Sequence, residues 1–127
     1  MSDTNGTTVR IAIPSEAPGG LTARRSGHFG RCECFTVVEV VDGVVAGVEV
    51  VHNAPHQDGG CMTPVLLLAE NTVSVIVVDG IGGRPLMGFN QVGIAVHAGM
   101  GADVQTAVAA YIQGVLPVVG LEGACQH

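Results

Sequence analysis

The sequence predicts one α/β domain: a five-stranded mixed sheet, with three antiparallel leading strands and then parallel ones, and three helices. Composition is the first reason. Hydrophobic residues make up 47% of the 127 and charged residues 13%, so most elements must bury at least one face. Aromatics are only 3%, with no Trp, which leaves Val, Ile, Leu and Ala to build the core. Such a core suits a largely parallel sheet covered by helices. The second reason is the order of elements, which reads β-β-β-α-β-α-β-α.

Val9 to Ile13 (VRIAI) reads as a short strand ended by Pro14, and residues 14–32 as a long loop of Gly, Pro, Ser and Arg. Cys34 to Val41 is a second strand. Asp42-Gly43 turns it into a third, Val44 to Val51, because this dipeptide suits the positive φ of a tight hairpin. His52 to Gly60 (HNAPHQDGG) is a loop without an apolar run. A helix begins near Thr63-Pro64, with Thr as N-cap and Pro at the first helical position, and runs to Asn71. Val73 to Val78 is a buried strand, DGIGG turns into a short helix opened by Pro85, and Ile94 to Val96 is a fifth strand. The last helix spans Asp103 to Gln113. Val104, Ala107, Val108, Tyr111 and Ile112 repeat at helical spacing, and Gly114 stops it. Residues 1–8 read as a disordered lead, 9–116 as the domain and 117–127 as a tail.

Right-handed crossovers place strands four and five parallel to the first. The loops after strands one, three, four and five then open at one end of the sheet, where open α/β sheets bind ligands. That end would collect His28, Arg31, Cys32, His52, His56, Cys61, Met62, Arg84, His97 and Met100.

The formal charge of −6 and the scarcity of aromatics argue against general nucleic-acid or anionic-membrane binding. No apolar run reaches the roughly 18 residues of a membrane span, and the polar start lacks a secretory signal, so a cytoplasmic location is expected. All five basic residues are Arg, and Arg24, Arg25, Arg31 and Arg84 lie in two glycine-rich loops. They serve either to anchor loops or to form a local anion site, since guanidinium offers a fixed fork of donors. Without a CxxC pair, the four cysteines suggest neither a closed zinc knuckle nor a disulfide framework. Cys61 with His52 and His56 combines thiolate and imidazole in one loop, a set that suits Cu(I), Zn or iron–sulfur species. Cys32 adjoins the first loop and is a further ligand candidate, whereas Cys34 reads as core. If both are in strand conformation they share a face. Gly80-Ile81-Gly82-Gly83 reads as an anion nest at a helix start, without the Lys of a nucleotide-binding loop. Strand one carries no carboxylate, and Asp79 is the only well-placed acid. Two-metal nuclease chemistry therefore has no support, nor does a nucleophile–base set, and no enzyme is expected.

The segments VRIAIPS, SGHFGRCECFTVVEV, HNAPHQDGGCM, VIVVDGIGGRPLMGFNQVGIAV and AVAAYIQGVL together resemble the dinitrogenase iron–molybdenum cofactor biosynthesis family. That family includes NifX-like carriers, the tail of NifB and an orange-protein branch. The resemblance implies a ribonuclease-H-like three-layer fold and a non-enzymatic carrier of an anionic metal–sulfur cluster, of iron–molybdenum or molybdenum–copper type, held without covalent attachment. It also implies a place in cofactor assembly, storage or delivery, with other assembly proteins as partners. The residues expected to contact the cofactor are His28, Arg31, Asn53, Gly60, Gly82, Gly83 and Arg84, and the expected metal ligands are Cys61, His52, His56 and Cys32. Cys32 and Cys34 stand where the family has small or apolar residues, so a ligand role for them is not inherited. A copper or zinc metallochaperone using the same Cys and His residues is the alternative, followed by a regulatory interaction module.

Overall fold

The computed structural model describes residues 8–26, 32–53 and 62–119. The chain forms β1 (Thr8–Ser15), β2 (Cys34–Val41), β3 (Val44–His52), α1 (Met62–Glu70), β4 (Val75–Val78), α2 (Gly83–Val92), β5 (Ala95–Ala98) and α3 (Val104–Ile112). The sheet order is β3-β2-β1-β4-β5. β1 and β2, and β2 and β3, pair antiparallel, while β1–β4 and β4–β5 pair parallel. The expected five-stranded mixed sheet with three helices is the one observed.

Two apolar clusters divide the core between the faces of the sheet. Ala12, Phe35, Val37, Ile76 and Val96 pack with Val65 and Leu68 of α1 and Leu86 and Phe89 of α2. Ile11, Ile13, Val38, Val40, Val75 and Val77 pack with Val104, Ala107 and Val108 of α3 on the other face. Strand alternation explains the split, since neighbouring residues point to opposite sides. β1, β2 and β4 are buried almost throughout, as the continuous apolar runs require.

Several boundaries differ from the sequence reading. β1 runs through Pro14, which pairs with Phe35, instead of ending there. Proline is tolerated because β4 pairs only with Ile11 and Ala12, so no ladder bond on that side needs an N–H from residue 14. α2 starts at Gly83 and carries Pro85 in its first turn, where backbone N–H groups have no intrahelical acceptor. Ile112 is 38% exposed, so the last apolar position of α3 lies outside the core. The hairpin turn is as expected, with φ of 53° at Asp42 and 81° at Gly43.

Residues 16–26 form a strap bonded to the start of α3. Arg25 N donates to Ala102 O, and Val104 N and Gln105 N donate to Ala23 O and Leu21 O. Asp103 is the N-cap of α3 and accepts from Thr106 N at 2.8 Å. No helix among the described residues is long and apolar enough to cross a membrane.

Candidate functional site

The carboxyl ends of β1, β3, β4 and β5 lie at one end of the sheet, with the start of β2. Ser15, Cys34 and His52 sit side by side there in register. Behind this row a buried hydroxyl pair closes the end of the sheet. Ser15 Oγ and Thr36 Oγ1 are 2.8 Å apart, and Thr36 Oγ1 also accepts from Gly20 N at 3.0 Å. The sequence reading missed this pair, which is recognisable only once the β1–β2 register is known.

Cys32 and Cys34 do not share a face. Cys32 precedes the strand and joins the α1/α2 cluster with Val78 and Leu86, whereas Cys34 follows the alternation of Val38 and Val40 toward α3. A Cβ on Gly19 would lie 3.2 Å from Cys34 Sγ and 2.9 Å from Val50, so the strap covers Cys34. Both thiols are buried, at 5% and 1% exposure. Burial pushes the Cys32 thiol up to about 12, only partly offset by a backbone hydrogen bond at Ser15, and the nearby Cys34 adds to the rise. Burial, then Glu33, also raises Cys34. Neither is a thiolate at neutral pH. Asn53 fixes the approach to Cys32: its N donates to Glu33 O at 3.2 Å and its Nδ2 donates to Cys32 O at 2.9 Å.

His52 is exposed at the end of β3 and, opposite Cys34, takes the α3 face, away from Cys32. His28, Arg31, His56, Gly60 and Cys61 lie outside the described residues, as do the side chain of Met62 and the Cys125 and His127 tail. α1, which follows residue 61 in the chain, packs on the sheet face that holds Cys32.

On that same side the turn after β4 leads into α2. Gly82 is the N-cap, without a side-chain hydrogen bond to the first-turn amides. A Cβ on Gly80 or Gly83 would meet nothing within 4 Å, so the turn is open. Ile81 packs back on the α1/α2 cluster and anchors the turn. Arg84 is exposed in the first turn of α2 and makes no ion pair among the described residues. Uncapped amides at the positive end of a ten-residue helix, beside a guanidinium, are suited to an anion.

The other arginines are committed to structure. Arg10 bonds Glu49 at 2.7 Å across the sheet. Arg25, with only 7% of its side chain exposed, donates through Nε and Nη2 to Gly101 O at 2.9 and 2.7 Å. Its Nη1 lies 2.8 Å from Asp79 Oδ1 without an aligned N–H, so this contact is an ion pair and not a directed bond. Arg25 therefore ties the strap, the turn after β4 and the loop after β5 together, which takes it out of the anion-site candidates. His97 is also structural. Its Nδ1 lies 3.0 Å from Leu116 O, and its ring meets Tyr111 edge-on at 5.1 Å. Among the described residues no three His, Cys, Asp or Glu side chains converge to hold a metal ion.

Residues 7–114 match the family described as "Dinitrogenase iron-molybdenum cofactor". An uncharacterized protein of Methanocaldococcus jannaschii, MJ0580, is 30% identical over 110 residues, covering 85% of this chain and 89% of its own. The crystal structure of PH0822 superposes with a TM-score of 0.76 at 30% identity, over 87% of this chain and 96% of that one. The apo form of the orange protein from Desulfovibrio gigas superposes with a TM-score of 0.75 at 27% identity, over 87% and 92%.

Proposed function

The chain belongs to the dinitrogenase iron–molybdenum cofactor family, and on that premise we propose that it binds and carries an anionic metal–sulfur cluster at the end of the sheet where β4 meets α2. The observation that carries this reading is the open, uncapped Gly80–Gly83 turn with exposed Arg84, on the same side of the sheet as Cys32 and α1. Arg84 and the amides of Gly82 and Gly83 would face the sulfides, with Asn53, Gly60, His28 and Arg31 completing the cradle. The cluster is cargo, of iron–molybdenum or molybdenum–copper type, and the protein serves its assembly, storage or delivery alongside other assembly proteins.

Cys61, immediately before α1, supplies the direct bond together with His56. A thiol at a helix start has its thiolate favoured by the helix dipole. His52 faces the α3 side and reaches the cluster only around the end of β3. Cys32 stands further back, because its thiol must leave an apolar cluster and give up a proton held to about 12.

The test is metal and acid-labile sulfide analysis of protein purified without oxygen, followed by titration of the empty protein with tetrathiomolybdate and with an iron–sulfur precursor. Molybdenum or iron with labile sulfide and a charge-transfer band supports the reading. Copper or zinc without sulfide would establish a metallochaperone instead. Cys61→Ser should weaken retention more than Cys34→Ser, and equal retention would remove Cys61 as the principal ligand.

A further inference from the structure

The turn before α2 carries a carboxylate at its root, which works against an anion site on a chain of charge −6. Asp79 stands between Val78, the last residue of β4, and Gly80, three residues before Gly82, the N-cap of α2. Three chain steps keep the Cα atoms of Asp79 and Gly82 within about 11 Å of each other. That is about one Debye length at 0.1 M salt, so an uncompensated carboxylate there repels an anion bound at the turn. The Asp79 side chain is 47% exposed, and burial does not remove its charge.

Arg25 lies against it. Its Nη1 is 2.8 Å from Asp79 Oδ1, and only 7% of the arginine side chain is exposed. The guanidinium is not free to turn toward an anion instead, since Nε and Nη2 both donate to Gly101 O. The backbone N of Arg25 donates to Ala102 O at 2.9 Å, and Gly99, whose Cβ would overlap Nη1, leaves room for the side chain. A carbonyl acceptor fixes the guanidinium without cancelling its charge, and that charge faces Asp79. Asp103 also feels the guanidinium, but its carboxylate caps α3 through Thr106.

We propose that Arg25 is a positioning residue for the anionic cargo and acts through Asp79, a role that rests on the cluster site proposed at this turn. It holds the carboxylate at the root of the turn and cancels its charge, so an anion at the Gly82 and Gly83 amides and Arg84 meets no net opposition. Removing Arg25 uncovers a negative charge and weakens binding. Removing the Asp79 charge leaves the guanidinium unopposed and strengthens binding, and removing both restores the balance. A unit charge acting through water on a dianion about 10 Å away changes affinity about fourfold at low ionic strength.

Titration with tetrathiomolybdate, a dianion, at low salt tests this on the wild type, Arg25→Met, Asp79→Asn, the double variant and Arg84→Gln, with circular dichroism to check folding. Arg25→Met is expected to raise Kd about fourfold and Asp79→Asn to lower it about fourfold, with the double variant within about twofold of the wild type. These differences should shrink in 1 M salt, where the Debye length is about 3 Å. A purely structural Arg25 would weaken binding in both single variants without recovery in the double variant, and that result overturns the proposal. Equal binding in all four overturns it too. A wild type that binds no tetrathiomolybdate, or an Arg84→Gln variant that binds as tightly as the wild type, removes the cluster site at this turn and the role of Arg25 with it. If Arg25→Met does not fold, Asp79→Asn decides. Tighter binding that salt abolishes is expected, and unchanged or weaker binding overturns the proposal.

Discussion

Replacing Gly99 with Ala is expected to destabilise the fold by about 2–3 kcal/mol, through Arg25. A Cβ at residue 99 would overlap Arg25 Nη1 and lie 3.0 Å from both Arg25 Cζ and Val77 Cγ1. Val77 is fully buried in the sheet and cannot retreat. The guanidinium is the mobile party, yet moving it breaks two bonds to Gly101 O, at 2.9 and 2.7 Å, and the contact with Asp79. Hydrogen bonds from a charged donor contribute about 1.5–3 kcal/mol. Asp79 is 47% exposed, so its ion pair is discounted to less than about 1 kcal/mol. Urea denaturation of the wild type, Gly99→Ala, Arg25→Ala and the double variant forms a cycle. With the Arg25 side chain gone, Gly99→Ala should cost less than about 1 kcal/mol, a coupling of about 2 kcal/mol. Additive losses, within about 0.5 kcal/mol, would refute the idea that Gly99 is needed for the arginine to pass.

Thr72 closes α1 at φ of 58°, a conformation that is strained for a β-branched residue. Thr72→Gly should therefore stabilise by about 0.5–1 kcal/mol in the same urea assay, even though glycine enlarges the entropy of the unfolded chain. Burial raises the Cys32 thiol from 9.0 to about 12, so the unfolded chain loses its proton first as pH rises. Stability held below pH 9 should fall between pH 9 and 12, with a shallower fall in Cys32→Ala. Hydrogen bonds from Thr106, side chain and then backbone, hold the Asp103 carboxyl below its usual value of 3.8. That contribution is complete above the unfolded value and is lost as pH falls through the lower folded one. Asp103→Ala should lower the urea midpoint at pH 7 and flatten this acid limb, while Asp103→Asn keeps most of the cap.

The fold was largely legible because its signals are local. The apolar runs of β2 and β4, the Asp42-Gly43 turn and the Asp103 cap each depend on a few adjacent residues. Their order, with right-handed crossovers, was enough to bring the carboxyl ends of β1, β3, β4 and β5 to one end of the sheet. Of the candidate site, the glycine turn before α2 is open and uncapped, while Cys61, His56, His28, Arg31 and Gly60 fall outside the described residues. Pro14 misled because whether a strand tolerates proline depends on the neighbour at that position. Here β4 stops short of it.

What the sequence determined by itself was the kind and order of the elements, because periodicity, turn chemistry and caps act over one or two turns of chain. Tertiary structure alone decided the faces taken by Cys32 and Cys34 and the role of Arg25. The two cysteines separate because β2 begins between them, and only residues within the strand obey its alternation. Arg25 is an anchor and not an anion ligand because its acceptor, Gly101 O, lies 76 residues away and meets it only when the strap, β4 and β5 are assembled. Such long-range pairings leave no pattern in the sequence, since nothing local constrains which distant carbonyl a guanidinium will find.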